Sequence, residues 1–255
     1  MEPHTLKRVY LLDELRGFAI LCMVAYHGVF DFISAFHWDF PFFFSPFMNT
    51  VRDLFAGLFI LISGIVCRYS RNNRKRGLLC FGCGLLMTAV TLVILPEEPI
   101  YFGILHLLGM GMILFSLAGE LIDRMPRALA IGLFLLLFAF TYALPNRKLG
   151  FFSYPIFRFP TDVPQTNALC FLGIINGDFA SADYFPLFPW LFLFLAGTVL
   201  GLFFKEGKMP RYCYRSQIPL PAAVGRKTLW IYLLHQPVLF LLLFLYSGLS
   251  GMPLF

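Results

Sequence analysis

The chain has 255 residues, of which 59% are hydrophobic and only 13% are charged. Soluble domains carry about 25% charged residues, so this chain has too little polar surface to cover itself in water. The composition excludes a soluble globular protein and favours the lipid bilayer as solvent. The net charge of +6 comes from basic residues in loops between apolar segments, without a nucleic-acid-binding motif. We therefore expect membrane lipid, and no nucleic acid, as a partner.

Seven segments are long and apolar enough to cross a bilayer, since a spanning helix needs about 20 mostly apolar residues. They are residues 16–36, 52–69, 77–95, 101–122, 128–144, 184–204 and 228–247. The first segment lacks a small-x-small cleavage site and contains His27 and Asp31, so it is a span rather than a signal peptide. We predict an all-α, polytopic membrane helical bundle of about seven transmembrane helices.

Lysine and arginine residues in the loops predict the orientation of the chain. With the N-terminus in the cytoplasm, sixteen of the 20 basic residues lie inside and four lie outside. An odd number of spans then places the C-terminus outside. The longest loop, about 145–183, is external in this arrangement. Its aromatic residues and four prolines either cap an outward-facing cavity or rest at the membrane interface.

The cysteine and histidine residues do not predict a metal site. Cys80 and Cys83 form a CxxC inside a predicted helix without a second pair, which is typical of small core residues. The histidines at membrane depth are His27, His106 and His235, and their spacing matches no metal signature. We therefore expect no bound metal.

The first span carries a polar stripe along one face. Arg16 and His27 are 11 residues apart, which is about 20° beyond three full helical turns and about 16 Å along the axis. Asp31 follows one turn later, and Asp13 precedes Arg16 by three residues. Lipid would penalise such a stripe, so it should face the bundle interior or a watery cavity. His27 then lies near the membrane midplane.

A histidine at this depth suits a general base, because its unperturbed pKa lies near neutrality. Asp31 is positioned to orient its imidazole ring, as a carboxylate does in a catalytic triad. A His27–Asp31 pair that only joins helices is the structural alternative. A proton-coupled transporter that uses both residues as a relay is the functional alternative, although no internal repeat is detectable. A non-catalytic scaffold would leave the aligned Arg16 and His27 unexplained.

Further polar residues lie at membrane depth and include Ser63, His106, His235 and Gln236. Pro237 follows this last pair and frees a backbone carbonyl within the helix. His106 and His235 fit a packing role and a site role equally well.

The segment "CRYSRNNRKRG" places five basic residues within nine positions. Such clusters bind phosphates through charge-assisted hydrogen bonds. The alternative is that the cluster serves only as a topology signal that attracts anionic lipids.

Several segments resemble the heparan-alpha-glucosaminide N-acetyltransferase catalytic-domain family in its short bacterial form. They are "LLDELRGFAILCMVAYHGVFDF", "LFILISGIVCR", "FGILHLLGMGMIL", "YFPLFPWLFLFLAGTVLG" and "VGRKTLWIYLLHQPVL". Arg16 and His27 are also similar to the Arg-x10-His signature of the wider membrane acyltransferase superfamily, and Arg71 to Arg74 is similar to its Arg-x-x-Arg element.

The resemblance implies one transmembrane acyltransferase-like domain over residues 1–255, in a prokaryotic plasma membrane. It implies transfer from cytoplasmic acetyl-CoA or another acyl-CoA to an extracytoplasmic sugar amine or hydroxyl, on a glycan or glycolipid. The oligomeric state stays open, including a homo-oligomer. His27 would be the catalytic residue, and Asp31 is added to the catalytic residues because of its place one turn later. The donor would bind at Arg16, Arg71 and Arg74, and Ser63, His106, Trp190, His235 and Gln236 would bind substrate or support the site.

Overall fold

The computed structural model describes residues 8–152, 154–160 and 166–252. This part of the chain contains eight helices. They are α1 (Tyr10–Phe36), α2 (Pro46–Cys67), α3 (Asn73–Ile94), α4 (Ile104–Asp123), α5 (Arg127–Thr141), α6 (Leu187–Lys205), α7 (Pro219–Gly225) and α8 (Thr228–Ser250). Between α5 and α6 the chain forms an antiparallel hairpin of β1 (Lys148–Phe151) and β2 (Tyr154–Arg158).

Every helix except the short α7 is long and apolar enough to cross a membrane, with the α5 span extending to Asn146 through a 3-10 turn. The predicted all-α membrane class with seven spans is therefore confirmed. α1 and α2 begin six residues earlier than predicted, at Tyr10 and Pro46. Polar side chains in the first turns of α1 have partners inside the protein, so the helix extends beyond its apolar segment. The β hairpin was not predicted.

The chain forms two compact units, the first from residues 1–59 and 209–255 and the second from residues 60–208. α2 contributes to both units. The single acyltransferase-like domain over residues 1–255 stays a prediction.

In the first unit, α1 and α8 pack side by side in the same direction. A Cβ added to Gly28 would lie 3.2 Å from Leu239 Cδ2, and the rings of Phe32 and Tyr246 are 5.7 Å apart. Residue numbers rise together along the contact, so the helices are parallel. The start of α1 and the end of α8 consequently lie at opposite ends of this unit, as an odd number of spans requires. The side that faces the cytoplasm stays a prediction.

The short helix α7 is bound at both ends by charged side chains of α1. The buried Glu14 carboxylate accepts hydrogen bonds from the backbone N–H groups of Gln217 (2.6 Å) and Ile218 (2.9 Å), just before α7. Arg16 Nε donates to the carbonyl of Gly225, the last residue of α7 (2.8 Å). A negative charge thus meets the positive end of the helix dipole and a positive charge meets the negative end.

Glycines allow α1 and α7 to touch backbone to backbone. A Cβ on Gly225 would collide with the carbonyl oxygen of Asp13, and one on Gly17 would collide with the carbonyl oxygen of Pro221. Both glycines therefore permit the separation at which Glu14 reaches the start of α7.

The second unit also packs its helices through glycines. A Cβ on Gly77 of α3 would lie 2.8 Å from the carbonyl oxygen of Gly109 in α4. A Cβ on Gly64 of α2 would collide with the Phe194 carbonyl oxygen in α6, and one on Gly197 would collide with the Leu61 carbonyl oxygen. Small residues at helix crossings are typical of membrane proteins, where close van der Waals packing replaces the hydrophobic effect.

An exposed ion pair connects the start of α5 to the residue that follows α6. Arg127 Nη1 donates to Glu206 Oε2 (2.8 Å), and Lys208 Nζ lies 2.8 Å from the same oxygen. Hydrogen bonding by Arg127, followed by that of Lys208, lowers the pKa of Glu206 to about 2. Water screens such a pair, so we assign it a positioning role rather than a large stabilisation.

The close approach of α1 and α7 predicts that Gly225→Ala destabilises the protein. An overpacked core site costs about 1–3 kcal/mol, which corresponds to a fall in Tm of several degrees, measured by thermal unfolding in detergent. Gly248→Ala in α8 is the matched control, because an added Cβ meets nothing within 4 Å. Alanine favours a helix by up to about 1 kcal/mol over glycine, so the control should equal or exceed wild-type stability. Equal Tm values for both variants would contradict the predicted contact.

Candidate functional site

A pair of histidines from α1 and α8 lies inside the first unit. The ring centroids of His27 and His235 are 5.2 Å apart, with His235 buried and His27 partly buried. His27 lies about 16 Å along the axis from Arg16. Two ionisable rings at membrane depth mark a functional site by default, because lipid penalises them elsewhere.

The backbone of α8 fixes the orientation of His235. Its Nδ1 lies 2.6 Å from the carbonyl oxygen of Tyr232, one turn earlier. A carbonyl only accepts hydrogen bonds, so Nδ1 carries the proton. The Nε2 atom of neutral His235 then has a lone pair and can take a proton. This arrangement resembles the orientation of a catalytic imidazole by a carboxylate, with a backbone carbonyl in that position.

Two further polar side chains accompany the histidines in the first unit. Asp31, one turn beyond His27, is buried, as its predicted place on the polar stripe requires. Gln236 follows His235, and its Oε1 atom is buried without a hydrogen-bond donor among the residues that the structure describes. A buried amide oxygen without a donor is costly. Gln236 Oε1 can therefore accept a further hydrogen bond.

The structure places Arg16 at the contact between α1 and α7. Besides Gly225, it contacts Asp13, whose Oδ1 lies 3.8 Å from Arg16 Nη2. The side chain is 18% exposed. Arg16 thus has a structural role in this unit, in addition to the donor-binding role predicted from the sequence.

His106 belongs to the second unit, where both of its ring nitrogens have partners. Nδ1 accepts from the backbone N–H of Gly103 (3.2 Å), at the start of α4. Nε2 lies 3.4 Å from Thr88 Oγ1, whose own proton goes to the carbonyl oxygen of Ile100 (2.6 Å). His106 consequently caps α4 and joins it to α3. These bonds favour the packing role among the two that the sequence left open.

Trp190 and Ser63 also belong to the second unit. Trp190 is buried, and its ring lies 5.6 Å from that of Phe138 and 5.4 Å from that of Phe185. This aromatic cluster joins α5 to α6. Ser63 is partly buried and precedes Gly64, where α2 crosses α6. For both residues the structure shows a place in helix packing, and their predicted supporting role stays a prediction.

The basic segment after α2 divides into two kinds of residue. Arg68 donates to both carboxylate oxygens of Asp123 (2.6 and 2.8 Å) and to the carbonyl of Thr198 (2.7 Å). Its guanidinium also lies over the Phe115 ring, 4.7 Å from the centroid. Arg68 therefore joins α2, α4 and α6, and it is not available as a phosphate ligand.

Arg71 and Arg74 differ from Arg68 because both are exposed. Within the part of the chain that the structure describes, neither side chain forms a hydrogen bond or an ion pair. Asn72 and Asn73 lie between them, and Asn72 Oδ1 accepts from the Lys75 backbone N–H (2.8 Å) and caps α3. This leaves two guanidinium groups available to an anion at the start of α3.

Sequence reasoning missed Glu14, which the structure shows to be buried and to hold the start of α7. An acid in the first turns of a helix usually faces water. Its place beside Arg16 in "LDELRG" was the one sequence feature that could have pointed to Glu14. Among the described residues, no group of three or more His, Cys, Asp or Glu side chains has a geometry suited to a metal ion.

Seven candidate spans and a histidine pair within them define a multi-pass membrane protein with an internal polar site suited to proton transfer. The sequence model described as "Heparan-alpha-glucosaminide N-acetyltransferase, catalytic" matches residues 8–237. The chain belongs to this acetyltransferase family, which confirms the resemblance noted in the sequence. Comparisons with curated proteins and with solved structures gave no match.

The hydrogen bonds predict opposite tautomers for two buried histidines. Neutral His235 should carry its proton on Nδ1, because that atom faces a carbonyl, and neutral His106 should carry it on Nε2, because its Nδ1 accepts an N–H. The ¹⁵N chemical shifts of labelled protein in bilayers distinguish these forms, with His235→Gln and His106→Gln for assignment. The same tautomer at both sites would contradict this geometry.

Proposed function

We propose that this protein moves an acetyl or other acyl group from cytoplasmic acyl-CoA to an extracytoplasmic sugar amine or hydroxyl. The His27–His235 pair is the observation that carries the proposal, because it supplies a base inside the span. Family membership supports acetyl transfer as the reaction class. The positive-inside distribution of loop charges supports the orientation of the chain and hence the direction of transfer. The resemblance to the short bacterial form of the family is the basis for proposing a prokaryotic plasma membrane.

The acyl-transfer step needs a base for the acceptor proton. The acceptor nitrogen or oxygen attacks the thioester carbonyl carbon, the new C–N or C–O bond forms and the C–S bond breaks. One imidazole of the pair takes the acceptor proton, and the CoA thiolate is protonated as it leaves. In the alternative route, a ring nitrogen of His27 attacks the thioester carbon, the C–S bond breaks and the CoA thiolate leaves and is protonated. The acyl group then passes from His27 to the acceptor, whose proton goes to His235. Both routes use the same pair of rings.

The acyl-CoA donor carries phosphates, which the exposed Arg71 and Arg74 are suited to bind. Arg16 is the proposed donor-binding residue of the first unit, at the start of α1. Its bonds to Gly225 and Asp13 hold the guanidinium in a fixed direction. Each arginine contributes positive charge at the end of a span that we place in the cytoplasm.

The acceptor needs hydrogen-bonding groups near the histidines. The buried Gln236 Oε1 supplies an acceptor for an amine or hydroxyl. Asp31, which is buried one turn after His27, is placed to orient the His27 imidazole. Asp31 also supports the rival function, a proton-coupled transporter with a His27–Asp31 relay. A transporter would move protons without consuming acyl-CoA.

We predict that His27→Ala and His235→Ala each lower acyl transfer by about 10²–10⁴-fold, the usual contribution of a general base. If His27 carries the acyl group, His27→Ala should lose more turnover than His235→Ala, since no acyl intermediate can form without His27. Turnover of labelled acetyl-CoA by purified variants in liposomes measures this, with acyl-CoA binding followed in parallel. Binding should remain, because Arg16 lies about 16 Å from His27 along the helix.

His37→Asn is the matched control for this experiment. His37 is an exposed histidine at the end of α1 with φ of 49°, a conformation that asparagine tolerates. The control should retain wild-type turnover. Wild-type turnover in folded His27→Ala would remove His27 from the mechanism. Proton flux without loss of thioester in the wild-type protein would favour the transporter.

The two kinds of arginine after α2 should respond differently to substitution. A charge-assisted contact is worth about 1.5–3 kcal/mol and less at an exposed site. Arg71→Ala with Arg74→Ala should therefore weaken CoA binding by roughly tenfold and leave Tm unchanged. Arg68→Ala should instead lower Tm, since it leaves Asp123 without its bidentate partner.

Calorimetric CoA titration and thermal unfolding separate these effects. Arg211→Ala with Arg215→Ala is the control for loss of two exposed positive charges elsewhere. If this control weakens CoA binding equally, the effect of Arg71 and Arg74 is a general charge effect, and their assignment to the donor site fails.

A further inference from the structure

The β hairpin folds back along the end of α5 instead of extending away from it. The Phe151 ring lies 5.5 Å from the ring of Phe140, and the Phe152 ring lies 5.2 Å from that of Tyr142. The Lys148 backbone N–H donates to the carbonyl of Ala143 (3.1 Å). The strand β1 therefore runs antiparallel to α5 and brings the hairpin turn beside the last turns of a membrane span.

The turn and the strand after it present large apolar side chains to the surroundings. Tyr154 is 81% exposed, Ile156 is 72% exposed and Phe157 is 54% exposed. Exposed apolar patches of this kind mark surfaces that contact a membrane or another molecule. Tyrosine and tryptophan are enriched where a membrane meets water, because their rings are amphipathic, and Tyr154 is such a residue.

The open end of the hairpin carries positive charge. Lys148 and Arg158 are directly opposite each other across the two strands. Like charges in this position destabilise a hairpin, and among the described residues neither side chain forms an ion pair. An anion beside both would relieve the repulsion. The pair lies about 10 Å from the turn, given roughly 3.3 Å per strand residue.

The turn also holds an aromatic residue in a backbone conformation that disfavours it. Phe152 has φ of 47°, a conformation that bulky residues rarely adopt and that hairpin turns usually fill with glycine, asparagine or aspartate. Half of its side chain is exposed. A residue held in an unfavourable conformation is typical of a functional contact.

We propose that the hairpin anchors the protein to the lipid surface at this end of α5. The aromatic turn lies at the boundary between acyl chains and headgroups, and Lys148 and Arg158 bind the phosphates of anionic lipids in the same leaflet. The headgroup layer is about 5–7.5 Å thick on each side, so a separation of about 10 Å places the backbone of the two cations at its outer part, from which their long side chains reach back to the phosphates. The hairpin thus rests at the interface and does not cap a cavity. This inference is independent of the acyl-transfer proposal.

The depth of the turn is testable with Tyr154→Trp in lipid nanodiscs, where both faces are accessible. Wild-type emission from Trp38, Trp190 and Trp230 is subtracted. We expect a phospholipid brominated near the glycerol end of its chains to quench the added emission at least twice as strongly as aqueous acrylamide. The reverse order would place the turn in water and overturn the proposal. Shielding from both quenchers would indicate a protein contact, such as a cap, and would also overturn it.

The role of the two cations is tested by lipid composition. Nanodiscs of phosphatidylcholine alone are compared with nanodiscs that also contain phosphatidylglycerol. In the Tyr154→Trp protein, the anionic lipid should lower acrylamide quenching at least twofold. Adding Lys148→Gln and Arg158→Gln, with Arg147 kept, should abolish this response. The Tm and the rate of acyl transfer should not change. A response that persists without the cations, or none in either protein, would refute lipid-phosphate binding at this pair.

Discussion

The two-ended attachment of α7 to α1 sets the geometry of the first unit. Glu14 binds the start of α7 and Arg16 binds its last carbonyl, at Gly225. Only two residues, Arg226 and Lys227, separate α7 from α8. The attachment therefore fixes where α8 begins and the direction of its faces. His235 lies two turns into α8, where it meets His27. If α8 began one residue earlier or later relative to this attachment, the direction of the His235 side chain around the helix axis would change by about 100°.

The histidines show how local backbone decides the chemistry of one residue type. His106 accepts a backbone N–H at the start of a helix, and its second nitrogen bonds a threonine, so it is fully engaged in packing. His235 faces a backbone carbonyl within a helix, which leaves Nε2 as the basic atom. Both are buried at membrane depth, and the sequence around each of them fits a packing role and a site role equally well. The difference comes from the partner of Nδ1 in each ring and from the threonine that bonds Nε2 of His106.

The local and periodic features of the sequence predicted most of the fold. Apolar length identified all seven spans, and helical periodicity placed Arg16, His27 and Asp31 on one face of α1. The partners of these residues were beyond reach, since Glu14 bonds residues more than 200 positions away and Arg68 pairs with Asp123, 55 positions away. The hairpin was missed because its strands are short and its turn contains Phe152 in place of the usual glycine or asparagine.

The depth of the histidine pair limits how any acyl-transfer reaction can proceed. A base about 16 Å from the start of the span, measured from Arg16, acts only on protons that are brought to it. Lipid excludes water from that depth, so the donor thioester and the acceptor group must both enter the protein interior. A site closed to water would strengthen every hydrogen bond that the pair makes. It would also protect the thioester from water, which would otherwise compete with the acceptor. In the proposed reaction, burial of His235 and Asp31 would favour transfer over hydrolysis by the same geometry that orients His235.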